Sequence, residues 1–196
     1  MKTLALATLF LTTSAWATTL IALDVPAMSR AADSIVQGTV SRVESRMSKD
    51  GSRITTHVFV DVTESIKGQG ATSVEVVQPG GIVGDVGQKV SGTAHLQQGD
   101  EVVVFLERRG PDRFMLVGMA QGCYRVQRSS DGKAAFAVPD PEGDVLMLDP
   151  VTHAPVQKNP APLKLDELKT QIRATLAQGV AEEPQPVRAP VNKAVK

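Results

Sequence analysis

Cysteine, aromatic rings and any surplus of one charge are all scarce in this chain of 196 residues. The single cysteine, Cys123, excludes an intrachain disulfide and any C-x-x-C metal or redox motif. It is read as a buried small hydrophobe, with an intermolecular link or a reactive thiol as the alternative. Aromatics make up 4% of the residues, too few for the stacking platforms that single-stranded nucleic acids and sugars use. Lys plus Arg and Asp plus Glu balance at 21 each, without the basic excess that phosphate neutralisation demands of a nucleic-acid binder. Long apolar runs are missing too. The longest near the N-terminus, residues 4–11, is far shorter than the ~20 residues of a membrane-spanning helix.

That short run has the order of an export signal. Lys2 supplies a basic start, residues 4–11 an apolar core, and Ala15 and Ala17 the A-x-A pair that signal peptidase accepts. Cleavage after Ala17 would leave Thr18 as the new N-terminus and about 180 residues, enough for one modest domain. No Cys stands at the cleavage site to carry a lipid anchor. The expectation is a protein released into a periplasm or outside the cell, stabilised by its hydrophobic core alone.

Past a lead of residues 18–30, strand signals begin. Inward parity at Val36, Gly38 and Val40 slips to Val43, Ser45 and Met47, as a β-bulge makes it slip. After an Asp50-Gly51 turn, residues 53–66 alternate, with Ile54, Val58, Val60, Val62 and Ile66 on one side and Thr55, His57, Asp61, Thr63 and Ser65 on the other. Residues 73–78 form a third strand. Residues 79–100 are glycine-rich and read as loop, apart from a short candidate strand over 88–90. Glu101-Val102-Val103-Val104-Phe105-Leu106 is a continuous apolar run, expected to be buried on both faces. Residues 113–126 form a fifth strand bent at Gly118 and Gly122. Short strands over 133–138 and 145–148 complete a domain spanning 31–150.

Prolines 155, 160 and 162 mark a linker in the segment 151–180. Leu165, Leu168, Ile172 and Leu176 then recur at helical spacing, with Gly179 placed as C-cap, which predicts one amphipathic helix docked on the barrel. Residues 181–196, with Pro184, Pro186, Pro190 and a basic end, read as a disordered tail. The fold class expected is mainly β: a small closed five-stranded OB-like barrel with extra short strands and one C-terminal amphipathic helix.

Three stretches carry a resemblance. Ala32-Asp33-Ser34-Ile35-Val36-Gln37-Gly38-Thr39-Val40, Val62-Thr63-Glu64-Ser65-Ile66-Lys67-Gly68 and Gln98-Gly99-Asp100-Glu101-Val102-Val103-Val104-Phe105-Leu106 resemble exported bacterial OB-fold-like domains of unknown function. More distantly they are similar to netrin-type modules, such as those of tissue inhibitors of metalloproteinases. The resemblance implies a barrel that binds other proteins. It departs from the inhibitors in having neither their N-terminal Cys nor their disulfides.

Chemistry is sparse. His57, His95 and His153 fall in no zinc pattern, and His57 and His95 are expected to face solvent. No Ser has a nucleophile-elbow setting, and Gly80-Gly81-Ile82-Val83-Gly84 is not followed by the Lys-Ser/Thr of a phosphate loop. Asp140, Glu142, Asp144 and Asp149 lack EF-hand spacing and read as an acidic turn. No catalytic set, metal or cofactor is therefore assigned. Pro79, Gly80, Gly81, Ile82, Val83 and Gly84, which open the long glycine-rich connection, are the candidate partner-binding residues, because OB-type barrels bind through their loops. The leading expectation is a non-catalytic exported module that engages another extracytoplasmic protein, a protease among the candidates. The alternative is a structural envelope or matrix protein whose barrel is a spacer and whose tail touches an anionic surface. An enzyme ranks third.

Overall fold

A computed structural model describes residues 18–110, 113–140, 145–156 and 161–181. The export segment with Ala15 and Ala17, the tail beyond residue 181, and Glu142 and Asp144 of the acidic turn lie outside the described residues.

The elements run β1 (Thr18–Ile21), α1 (Val25–Ala31), β2 (Ser34–Met47), β3 (Ile54–Lys67), β4 (Ser73–Pro79), β5 (Gly81–Val83), β6 (Val86–Gln88), β7 (Glu101–Arg108) and β8 (Arg113–Leu116). A 3-10 turn (Met119–Gly122) then leads to β9 (Cys123–Arg128), β10 (Ala135–Pro139), β11 (Val145–Leu148), β12 (Pro155–Val156), β13 (Leu163–Lys164) and α2 (Leu165–Ala181). Strands β7-β2-β3-β4-β8 close on themselves, since β8 pairs with β7 as well as in parallel with β4. This is the five-stranded OB-like barrel. Its closure removes the exposed edges that an open sheet would present.

The bulge in β2 falls between Val40 and Arg42, so Ser41 is the extra residue that flips the inward parity. Inside the barrel lie Val36, Val40, Val58, Val60, Val76, Val102, Val104 and Leu106. The alternate residues of β7, Val103 and Phe105, face outward into a second core with Ile35, Met28, Tyr124, Leu168 and Ile172, roofed by α1 and α2. The apolar run from Val102 to Leu106 thus serves two cores, one on each face of its strand. At ~25 cal/mol per Å² of apolar surface removed from water, burial on both faces makes β7 a large contributor to cohesion.

The long fifth strand is broken where glycines were expected to bend it. β8 pairs with the C-terminal half of β7 and β9 with its N-terminal half. Between them the chain turns at Gly118, with φ 64°, and at Gly122, where a Cβ would lie 2.4 Å from the Val117 carbonyl oxygen.

Three expectations need correction, and the lead, to which no element was assigned, gains two. The lead of residues 18–30 is structured: β1 pairs in parallel with β11, and α1 starts at an Asp24 N-cap whose carboxylate accepts the Ala27 N–H at 2.7 Å. The linker contributes paired strands β12 and β13. The strand placed at 88–90 lies earlier, at Val86–Gln88, where it pairs with an unexpected β5. Gly179 does not cap α2, which runs on to Ala181, because cores and ion pairs along the helix outweigh one glycine's low propensity. No described helix is long and apolar enough to cross a membrane.

Candidate functional site

The six residues singled out from the glycine-rich connection fall at the end of the barrel, where β4 leaves it. Pro79 closes β4 opposite Thr55. Gly80 and Gly81 turn the chain with φ of 88° and 133°, conformations that favour glycine. Ile82 and Val83 belong to β5, and Gly84, at φ 58°, is the first residue of the two-residue turn to β6, the position a mirror-image hairpin turn gives to glycine. Pro79, Gly80, Gly81 and Ile82 line a cleft of about 920 Å³, whose far wall is the returning chain from Gly87 to Leu96. Val83 and Gly84 sit at the hairpin tip and do not line it.

Two hydroxyls fix the root of this hairpin. Ser45 Oγ accepts the Ile82 N–H at 3.3 Å and lies 3.1 Å from Thr56 Oγ1, which donates to the Gly80 carbonyl oxygen at 2.7 Å. The clamp grips the Gly80-Gly81-Ile82 backbone from the barrel rim. A Cβ on Gly81 would lie 2.3 Å from Ser45 Oγ and 2.5 Å from Thr56 Oγ1, so the grip requires glycine. Beyond the clamp, Ile82 is 73% exposed and Val86 53%. An aliphatic side chain is therefore held out in water on a backbone that is not free to collapse over it.

The far wall is tied down separately. Gln78 Nε2 donates to the Ala94 carbonyl at 2.9 Å, and the Asp140 carboxylate accepts the His95 N–H at 2.8 Å while its other oxygen faces Arg125 Nε at 3.1 Å. Asp140 is thus no surface acidic turn. Its side chain is fully buried and straps the connection to β9. Asp149, by contrast, stays in an exposed turn, where its carboxylate accepts the Val151 and Thr152 N–H groups.

His57 also departs from expectation. It is on the outer face of β3, as its parity implies, but only 6% exposed. Its Nδ1 is 2.6 Å from Glu75 Oε1 and its Nε2 3.1 Å from Thr55 Oγ1, and Arg46 and Arg113 approach the same carboxylate at 3.9 and 3.5 Å. Burial works to raise the Glu75 carboxyl, but the His57 hydrogen bond and the charges of His57, Arg113 and Arg46 outweigh it and hold it below the ordinary range. Arg42 stacks over Phe59 on the same face, 3.9 Å from the ring centroid. Long neighbouring side chains cover the ring, which sequence alternation cannot register. His95 remains exposed, and His153 occupies a turn at φ 54°.

Cys123 is fully buried in the barrel core, and burial pushes its thiol far above the ordinary value, which leaves it inert. Among the described residues no group of three or more His, Cys, Asp or Glu side chains is placed to hold a metal ion. No family model matches the chain, and no curated protein is significantly similar to it.

The clamp residues could have been suspected from the sequence. Ser45 and Thr56 are polar residues at inward positions of their strands, a conflict between period and polarity that marks a special site. Gln78 and Asp140 carry no such signal, because their partners lie on loops whose path no pattern specifies.

Proposed function

We propose that the chain is an exported, non-catalytic binding module that engages another extracytoplasmic protein through the loops at one end of its barrel. The observation that carries this reading is Ile82, 73% exposed on a hairpin whose root is clamped by Ser45 and Thr56. A rigid exposed aliphatic group loses little entropy on docking, so burying it in a partner's pocket yields most of its transfer free energy. The cleft beside the hairpin offers a partner a concave surface next to that anchor. Export rests on the Lys2, residues 4–11, Ala15 and Ala17 pattern. The resemblance to netrin-type modules makes an exported protease or an envelope component the partner class.

The test is affinity capture by the mature protein from its own extracytoplasmic fraction, in parallel with an Ile82→Asp variant. Retention of a specific protein by the parent, cut at least about ten-fold by Ile82→Asp, is the expected result. Equal retention by both proteins, or none by either, sinks the reading.

A further inference from the structure

We propose that the cleft receives an extended peptide segment of the partner, which adds as a strand to the free edge of β6 at Gly87. The inference rests on the binding-module reading and names how the partner's chain is held.

The edge follows from the hairpin register. Val83 and Val86 flank the two-residue turn as a hydrogen-bonded pair, and Ile82 faces Gly87 as the next, non-bonded pair. In such a pair the N–H and C=O groups point away from the hairpin. The Ile82 N–H does so, reaching Ser45 Oγ. By the same alternation the Gly87 N–H and C=O point outward from β6, where Gly87 lines the cleft. Among the described residues β6 pairs with no strand but β5, so this edge carries no other strand. One residue thus presents a donor and an acceptor with ladder spacing, and a single residue of an antiparallel strand satisfies both.

Gly87 also has no internal reason to be glycine. Its φ is not in the left-handed region, and a Cβ there would meet only Ile82 Cγ1, at 3.8 Å. Gly80 and Gly81, by contrast, are required by the fold. A glycine inside a strand that the fold does not need leaves room for a second backbone to approach closely. The residues around it suit an extended chain with small aliphatic side chains, since Ile82, Val90, Ala94 and Leu96 line the same cleft. Across it, Gln78 Oε1 has no donor among the described residues.

The test selects peptides against the full mature chain from a random-peptide display library, then follows the chosen peptide by amide NMR. Binding is expected to move the Gly87 amide and slow its solvent exchange at least about ten-fold. Methylation of the peptide nitrogen that faces Gly87 should weaken binding about ten-fold, because it removes a ladder bond and fills the approach. The proposal is overturned if no peptide is retained, if methylation of each backbone nitrogen in turn has no effect, or if the perturbed amides lie elsewhere. Concentration-dependent protection of Gly87 without peptide would make the occupant a second copy. Protection lost on truncation after Ala181 would make it the chain's own tail. Either result overturns assignment to a partner. Capture that survives in the parent and fails in Ile82→Asp, with no peptide bound at Gly87, would reject strand addition while leaving the binding-module reading intact.

Discussion

A methyl group added to Gly81 would press on both clamp hydroxyls and would have to adopt φ 133°, whereas one added to Gly87 meets a single carbon at van der Waals distance. Gly81→Ala should therefore cost about 1–3 kcal/mol and free the hairpin, while Gly87→Ala should stay within about 0.5 kcal/mol of the parent. Urea midpoints check both figures, and amide exchange at Ile82 reports whether the clamp has opened. Asp140 makes a second case. Asp140→Asn takes from Arg125 the nearer of two carboxylates, leaving Asp100 at 3.9 Å, and removes the negative charge from the His95 N–H acceptor. Because Arg125 keeps about a third of its exposure, water replaces part of the loss, and a cost of about 1–3 kcal/mol is expected in the same assay. Neither structural role is written in the sequence, although Gly81 lies in the candidate binding segment. Gly81 is one of 16 glycines, and Asp140 sits among prolines and acids that read as surface turn. What singles them out is a contact with a residue distant in the chain.

At the scale of elements, α2 was legible from Leu165, Leu168 and Ile172 at helical spacing, and all three are buried. Its placement was not legible, because a helix can lie along a sheet in several directions with the same apolar stripe. Glu64 on β3 fixes the choice, receiving Lys169 at 2.6 Å and Arg173 at 2.5 Å. The Lys169 hydrogen bond is the largest influence on the Glu64 carboxyl, and with both positive charges it outweighs burial and holds the group below its ordinary 4.5. A carboxyl lowered in the folded state stabilises that state above its unfolded value. The contribution disappears as pH falls through the folded value. Glu64→Gln should thus be less stable than the parent at neutral pH, and the gap should shrink as pH falls below 4.5 and close once it has passed the lowered folded value. Glu75 and Glu101 are lowered as well, and both proteins will weaken in acid. The quantity to follow is the difference between the two urea midpoints across pH, and a gap that persists into acid would show that the pair does not orient the helix. On the opposite flank, Lys67 Nζ donates to the carbonyls of Ser29, Arg30 and Ala32 at the C-terminal end of α1. A lysine there complements the helix dipole, and its role depends on an element that the sequence pattern passed over.

For the whole molecule, the barrel was legible because each of its strands repeats with period two or is uniformly apolar, and because a long bulged first strand lets five such strands curl into closure. The division into two cores was not, since a run of five apolar residues looks the same whether its second face meets a helix or another sheet. That division has a thermodynamic consequence. β7 places Val102, Val104 and Leu106 in the barrel and Val103 and Phe105 under the helices, so neither core can dissolve without exposing the other face of the same strand. The two layers should unfold as one cooperative unit. Leu106→Ala in the barrel and Leu168→Ala under the helices should each lower stability by about 2–5 kcal/mol and shift a single transition. Residues 18–196 contain one tyrosine and no tryptophan, and Tyr124 lies in the helical core, 6.0 Å from Phe105 between ring centroids. Its near-ultraviolet signal therefore follows the helical layer, while far-ultraviolet circular dichroism follows the strands. In either variant the two signals should be lost at the same urea concentration. Loss of the tyrosine signal in Leu168→Ala ahead of the strand signal would mean that the helical layer melts off an intact barrel, and that β7 does not bind the two cores into one.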